Sequence, residues 1–151
     1  MTENEPREDQ LQAFENGQDI RDRTLTFACR VVEFCKELNE SGPIGRGLSP
    51  QLLSAATSVA AMLEEARAAE STRDFVSKCC ISLKECREAH VRLQIIETSR
   101  IGSSDEARSL RLEANELVSI ITVIVRNTKR NAALKASRSN GHRRSKRRAN
   151  S

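Results

Sequence analysis

Along most of this chain apolar residues recur in alternating steps of four and three, and that period constrains the fold more than any other feature. Phe27, Val31, Phe34 and Leu38 repeat at 4-3-4, with Leu25, Ala28, Val32 and Cys35 on a neighbouring stripe. Leu52, Ala56, Val59, Leu63 and Ala66 form a second set, with small residues at Ala55, Ala60 and Ala61 that permit close helix approach. Phe75, Cys79, Ser82, Cys86, Ala89, Leu93 and Ile96 form a third, and Leu110, Ala114, Leu117, Ile121, Ile124 and Thr128 a fourth. A helical turn takes about 3.6 residues, so each set lines one side of a helix and has to be buried against another. The chain has no Trp or Tyr and only four Phe, whereas β-rich chains draw on aromatic and β-branched strands. Four such segments joined by short connections predict one all-α domain, an antiparallel up-down-up-down four-helix bundle over residues 20–134.

The residues between the stripes set the helix ends. Residues 1–19 lack apolar periodicity and read as a disordered acidic leader, with Leu11, Phe14 and Ile20 able to dock its end on the body. Asn39 to Gly47, NESGPIGRG, reads as a loop, so the second helix is expected to open at Ser49-Pro50, a capping hydroxyl followed by proline at the first helical position. Ser71 with Asp74, and Ser103 with Glu106, have the spacing of capping boxes. SRIGSS, Ser99 to Ser104, contains a glycine suited to a helix C-terminus.

Charge is distributed unevenly. The chain has 25 Lys and Arg against 21 Asp and Glu, and every acidic residue lies at or before Glu116. Beyond it lie ten basic residues and no acid: Arg126, Lys129, Arg130, Lys135, Arg138, Arg143, Arg144, Lys146, Arg147 and Arg148. The part up to Glu116 therefore carries a net −6, fifteen cations against twenty-one anions. Residues 135–151 have little apolar content and are expected to form a disordered basic tail. Guanidinium groups suit phosphate through paired N–H donors and displace condensed counterions, so these ten residues are the candidate nucleic-acid contacts. The tail has no aromatic side chain to stack on bases, so contact would be electrostatic and indifferent to base identity. A solubilising tail and a dock for an acidic protein are the other readings.

Catalytic and metal chemistry find little support. Cys79, Cys80, Cys86 and His90 crowd one stretch, but Cys79 and Cys86 lie about 10 Å apart along a helix and cannot readily share an ion. Cys86 and His90 supply two ligands at most, with Cys29 or Cys35 the only other soft candidates, so the cysteines read as small buried hydrophobes. Adjacent Cys79 and Cys80 point about 100° apart and make a poor disulfide pair. GPIGRG lacks the lysine and preceding strand of a phosphate loop. Glu64, Glu65, Glu85 and Glu88 lack the Glu-x-x-His pairs of a di-metal bundle and read as solvated charges or interhelical ion pairs. A Ser-His-Asp arrangement would rest on His90 alone, since His142 lies in the tail. The expectation is a non-enzymatic protein with no cofactor.

No apolar run approaches the ~20 residues that span a bilayer. The polar, acidic start is unlike a secretory signal, and five cysteines without a disulfide scaffold's spacing suit a reducing compartment. A cytoplasmic location is expected, with no membrane partner. The fourth stripe is unusually wide, because the run VSIITVIV adds Val118, Ile120, Val123 and Val125. These four are either a broad core face or the interface of a homo-oligomer.

Two segments resemble a known family. Phe75, Lys78, Ile81, Ser82, Leu83, Glu85 and Arg87 follow the signature entering helix three of the bundle proteins encoded in intervening sequences of bacterial 23S ribosomal RNA. Ser58 to Ala66 resembles that family's helix-two segment, with Met62 in place of its Asn, Ala66 in place of its Gly, and Glu65 keeping the acidic position. The resemblance spans about Thr24 to Asn131. It implies a left-handed antiparallel bundle, commonly a homopentameric ring, without established enzymatic activity. The family is also similar to accessory proteins of diversity-generating retroelements, pentameric barrels that bind nucleic acid and a reverse transcriptase, and this similarity adds RNA or DNA and a reverse transcriptase to the expected partners. The resulting expectation is a nucleic-acid-binding bundle, leaning to RNA. A structural homo-oligomeric interaction module is the alternative.

Overall fold

The computed structural model describes residues 19–149, with side chains as far as Lys146. The expectation of a disordered leader lies outside the described residues, apart from Asp19 at its end. Four helices follow in order: α1 (Ile20–Glu40), α2 (Pro43–Arg67), α3 (Thr72–Ser99) and α4 (Ser104–Ala149). They form the antiparallel four-helix bundle, α1 packing on α2, α2 on α3 and α3 on α4, while α1 and α4 meet more sparingly.

Local chemistry fixes the helix ends. Asp19 caps α1, its carboxylate accepting from the Arg21 backbone N–H at 3.0 Å. At α3 the Ser71 hydroxyl accepts from the Asp74 N–H at 3.1 Å, and Asp74 in turn accepts from the Glu70 N–H at 3.2 Å. This is the expected capping box shifted back by one residue. At α4 the Ser103 hydroxyl accepts from the Glu106 N–H at 3.3 Å, while Glu37 of α1, in place of Glu106, accepts from the Ser103 N–H at 2.6 Å.

Two sequence expectations need correction. The α1–α2 connection is only Ser41-Gly42, and α2 begins at Pro43, with Gly42 at φ +117 before it. Pro50, expected at a helix start, lies inside α2 on its exposed side, where it forgoes one backbone bond. Gly45 had suggested a loop but is buried in the first turns of α2, and a methyl group there would overlap Leu38 O and Ser41 Oγ. That glycine serves close packing of two helices. At the end of α3 the left-handed residue is Arg100 (φ 56), with Gly102 (φ 66) two residues further on. Arg100 N–H bonds Glu97 O and Ile101 N–H bonds Ile96 O, the two bonds of a Schellman motif.

The core contains the apolar stripes read from the sequence. Phe27, Phe34, Phe75, Leu63, Leu93 and Leu117 are among its fully buried side chains. Each apolar seam also carries one small donor reaching a neighbouring backbone carbonyl. Cys35 Sγ lies 3.6 Å from Ser49 O across α1–α2, Ser82 Oγ 2.9 Å from Val59 O across α2–α3, and Cys86 Sγ 3.4 Å from Ala114 O across α3–α4. Among the described residues no buried side-chain N or O atom lacks a partner, as a well-packed interior requires.

The α1–α4 seam is built differently. Arg23 grips Glu113 with both arms, at 2.7 and 2.9 Å, and also pairs with Glu116. One turn pair further on, Arg30 donates to Glu106 at 3.1 Å and to Ser109 Oγ at 2.8 Å. The Arg23 guanidinium holds the Glu113 carboxyl below the usual carboxylate range, and burial opposes it only in part.

Candidate nucleic-acid interface

α4 is 46 residues long and α3 is 28. The two run antiparallel from a short turn, so α4 continues about 18 residues beyond its neighbour, a projection of about 27 Å at ~1.5 Å per residue. Val125 is its last buried side chain, and every described residue from Lys129 to Lys146 is exposed. The chain thus continues as helix where the sequence suggested a disordered tail from Lys135. The segment contains no proline, and Ala132, Ala133, Leu134 and Ala136, with the Arg and Lys residues, favour helix even without a packed face.

The expected phosphate contacts fall on this helix. Arg126, Lys129 and Arg130 stand where it leaves the bundle, and Lys135, Arg138, Arg143, Arg144 and Lys146 follow along it, all exposed. Arg147 and Arg148 belong to its last turn, with side chains outside the described residues. At about 100° per residue the cations point to all sides of the helix, forming a charged rod without a single binding stripe. Cations toward a helix C-terminus also complement its dipole.

The four apolar residues considered for an oligomer interface separate. Val125 is 8 % exposed and belongs to the core, Val118 and Ile120 are half-buried against the core on opposite flanks of the helix, and Val123 is 41 % exposed. They do not form one face. Other exposed apolar side chains include Ile81, Val91 and Ile95 on α3 and Leu112 and Leu134 on α4.

Cys35, Cys79 and Cys86 are buried, Cys80 is half-buried and Cys29 is exposed. Burial pushes the Cys79 and Cys86 thiols up to about 12 and raises Cys35 as well, which keeps them protonated and inert as nucleophiles at neutral pH. The described residues contain no group of three His, Cys, Asp or Glu placed to hold a metal. A cleft of about 680 Å³ between α1 and α2 is lined by Leu25, Ala28, Val32 and Ala60 together with Arg21 and Glu64. No described helix is long and apolar enough to cross a membrane.

Sequence reasoning missed the Arg23 and Arg30 ladder and the three seam donors. The heptad spacing of Arg23 and Arg30, with Glu106 and Glu113 seven apart on the partner, was the available signal.

No curated protein is matched by the sequence. Among solved structures, a protein of unknown function from the S23 ribosomal protein family of Bacteroides thetaiotaomicron VPI-5482 aligns with a TM-score of 0.64 at 28% identity. The alignment covers 97% of that chain with 70% of this one. The model of the family described as 23S rRNA-intervening sequence protein matches residues 17–123, ending before the first residue of the basic rod. With most of its length under that model and the same bundle in the solved relative, the chain belongs to the 23S rRNA-intervening sequence protein family.

Proposed function

We propose that this protein is a non-enzymatic nucleic-acid-binding module, leaning to RNA, in which the bundle is the mount and the continuation of α4 is the grip. One observation carries the reading: the helix bears ten cations and no acid from Arg126 to Arg148, and every described side chain from Lys129 to Lys146 is exposed. A rod of that charge attracts a polyanion and releases its counterions. Cations on every side suit a phosphate backbone without selecting a base edge. If the protein is a ring, several rods on one assembly would raise the effective concentration of the later contacts once the first has formed.

The test is fluorescence anisotropy of a labelled single-stranded RNA across a salt series. Engagement of five or more phosphates gives a log–log slope of about −3.5 or steeper, from ~0.7 per phosphate neutralised. A chain ending at Asn131 is expected to lose most of the affinity. Equal binding by that shorter chain moves the grip to the bundle, and no binding by either at low salt defeats the proposal.

Val91 and Ile95 on α3 and Leu112 and Val123 on α4, each exposed, favour a second reading, a homo-oligomeric interaction module. Light scattering tests it, with a pentamer as the expected assembly.

A further inference from the structure

One line of residues on α4 changes character where α1 runs out. Glu106, Ser109, Glu113 and Glu116, in steps of three and four, face α1 and meet Arg30 and Arg23. The same steps continue through Ile120, Val123, Asn127, Arg130 and Leu134. α1 begins at Ile20, only three residues before Arg23, so this continuation has no α1 opposite it. The acidic half of the line thus has its partner; beyond it Ile120 is half-buried against the core, while Val123 and Leu134 lie open, 41 % and 53 % exposed.

We infer that the open positions of this line, Val123 and Leu134, with half-buried Ile120 at their start, are the seat for the chain's own residues 1–18. That segment joins the described structure at Asp19, beside the point where the line changes. Val123 lies about 10 Å beyond Glu116 along α4. Phe14, five residues before Asp19, reaches about 17 Å in extended chain, and Leu11 about 27 Å, enough for the whole seat. Residues 1–18 carry Leu11 and Phe14 for the apolar positions, and Glu3, Glu5, Glu8, Asp9 and Glu15 against a single Arg7. The seat is edged by Arg126 and Arg130, with Arg138 a turn beyond, and no acidic residue follows Glu116. The charges are complementary. A second copy laid along the same line would bring its own arginines against these, which makes it the poorer occupant. The inference stands independently of any nucleic-acid role.

The experiment is amide hydrogen exchange on the full chain and on a Leu11→Glu, Phe14→Glu variant, each at two protein concentrations. With the seat occupied by residues 1–18, amides of 120–134 exchange about tenfold faster in the variant, at a rate independent of concentration, while those of α2 and α3 keep theirs. Unchanged rates over 120–134 overturn the inference. Protection that rises with concentration and survives the substitutions assigns the seat to a second copy. Acceleration throughout all four helices shows that the two residues support the whole bundle, and it also overturns the assignment to this line.

Discussion

From Ser104 to Val125, α4 buries Ala107, Leu110, Ala114, Leu117 and Ile121 against the bundle, receives the Cys86 thiol at Ala114 O, and answers α1's arginines with glutamates. From Arg126 onward the same helix carries ten cations and no buried described side chain. The first part is helical because folding buries its face. The second is helical through residue preference and continuity with a nucleus already formed, and it lacks the packed apolar face that supplies most helical stability in proteins. One element thus combines a part coupled to the global fold with a part free to respond to a ligand.

The largest effect that tests this contrast comes from one substitution made in both parts. Leu117 is fully buried and Leu134 is 53 % exposed. Leu117→Ala is expected to cost about 2–5 kcal/mol, the lost transfer energy plus the cavity left behind. Leu134→Ala should cost no more than about 1 kcal/mol in urea unfolding, because any contact it makes with residues 1–18 is local and does not join the core. Comparable losses at both positions would show the projection packed on something as firmly as the body is.

A smaller effect comes from acid. Glu113 and Asp19 have carboxyls held below their ordinary values, first by hydrogen bonds from Arg23 and Arg21 respectively. A depressed folded pKa contributes stability that is fully present above the unfolded value of about 4 and is lost as pH falls from there through the lower folded value. Between pH 5 and pH 3 the body should therefore lose about 1 kcal/mol from the Arg23–Glu113 contact, discounted for its partial exposure. Arg23→Ala should flatten that slope in thermal melts. The projection has no carboxylate side chain of its own, so in a chain lacking residues 1–18 its helicity should not respond over the same interval.

The pattern of what the sequence disclosed has physical causes. Buried stripes were legible because periodicity reports burial directly, and Ser71 and Ser103 were legible because capping is a local bond within four residues. The start of α2 was misread because glycine and proline have two uses. Gly45 looks like loop material until the carbonyl of Leu38 is seen against it. The Arg23–Glu113 ladder left matching seven-residue spacings in the sequence, but the pairing depends on the relative rotation of two helices ninety residues apart, which those spacings do not set. Ser82 was visible as part of a resemblance, but its partner, the carbonyl of Val59, was not. At the candidate interface the run of cations was legible in the sequence and the helix that carries it to Ala149 was not, because polarity argues against packing and does not argue against helix.

The smallest predicted effect isolates the projection from the body. Gly141 lies within α4 with nothing within 4 Å of the position its Cβ would occupy. Alanine there meets no obstacle and favours helix by about 0.8–1 kcal/mol, because glycine surrenders more backbone freedom on ordering. That gain is local. No described side chain beyond Val125 is buried, so the global unfolding midpoint of Gly141→Ala should match that of the parent, while far-UV circular dichroism shows a modest rise in helicity before the transition. If nucleic acid engages the projection as a helix, the same variant should bind RNA up to about fivefold more tightly at fixed salt, because less ordering remains to be done on binding. A midpoint that rises with the helicity would mean the two parts of α4 fold together. Higher helicity with weaker binding would mean that the bound form is not helical, and that the cations reach phosphate as an extended chain.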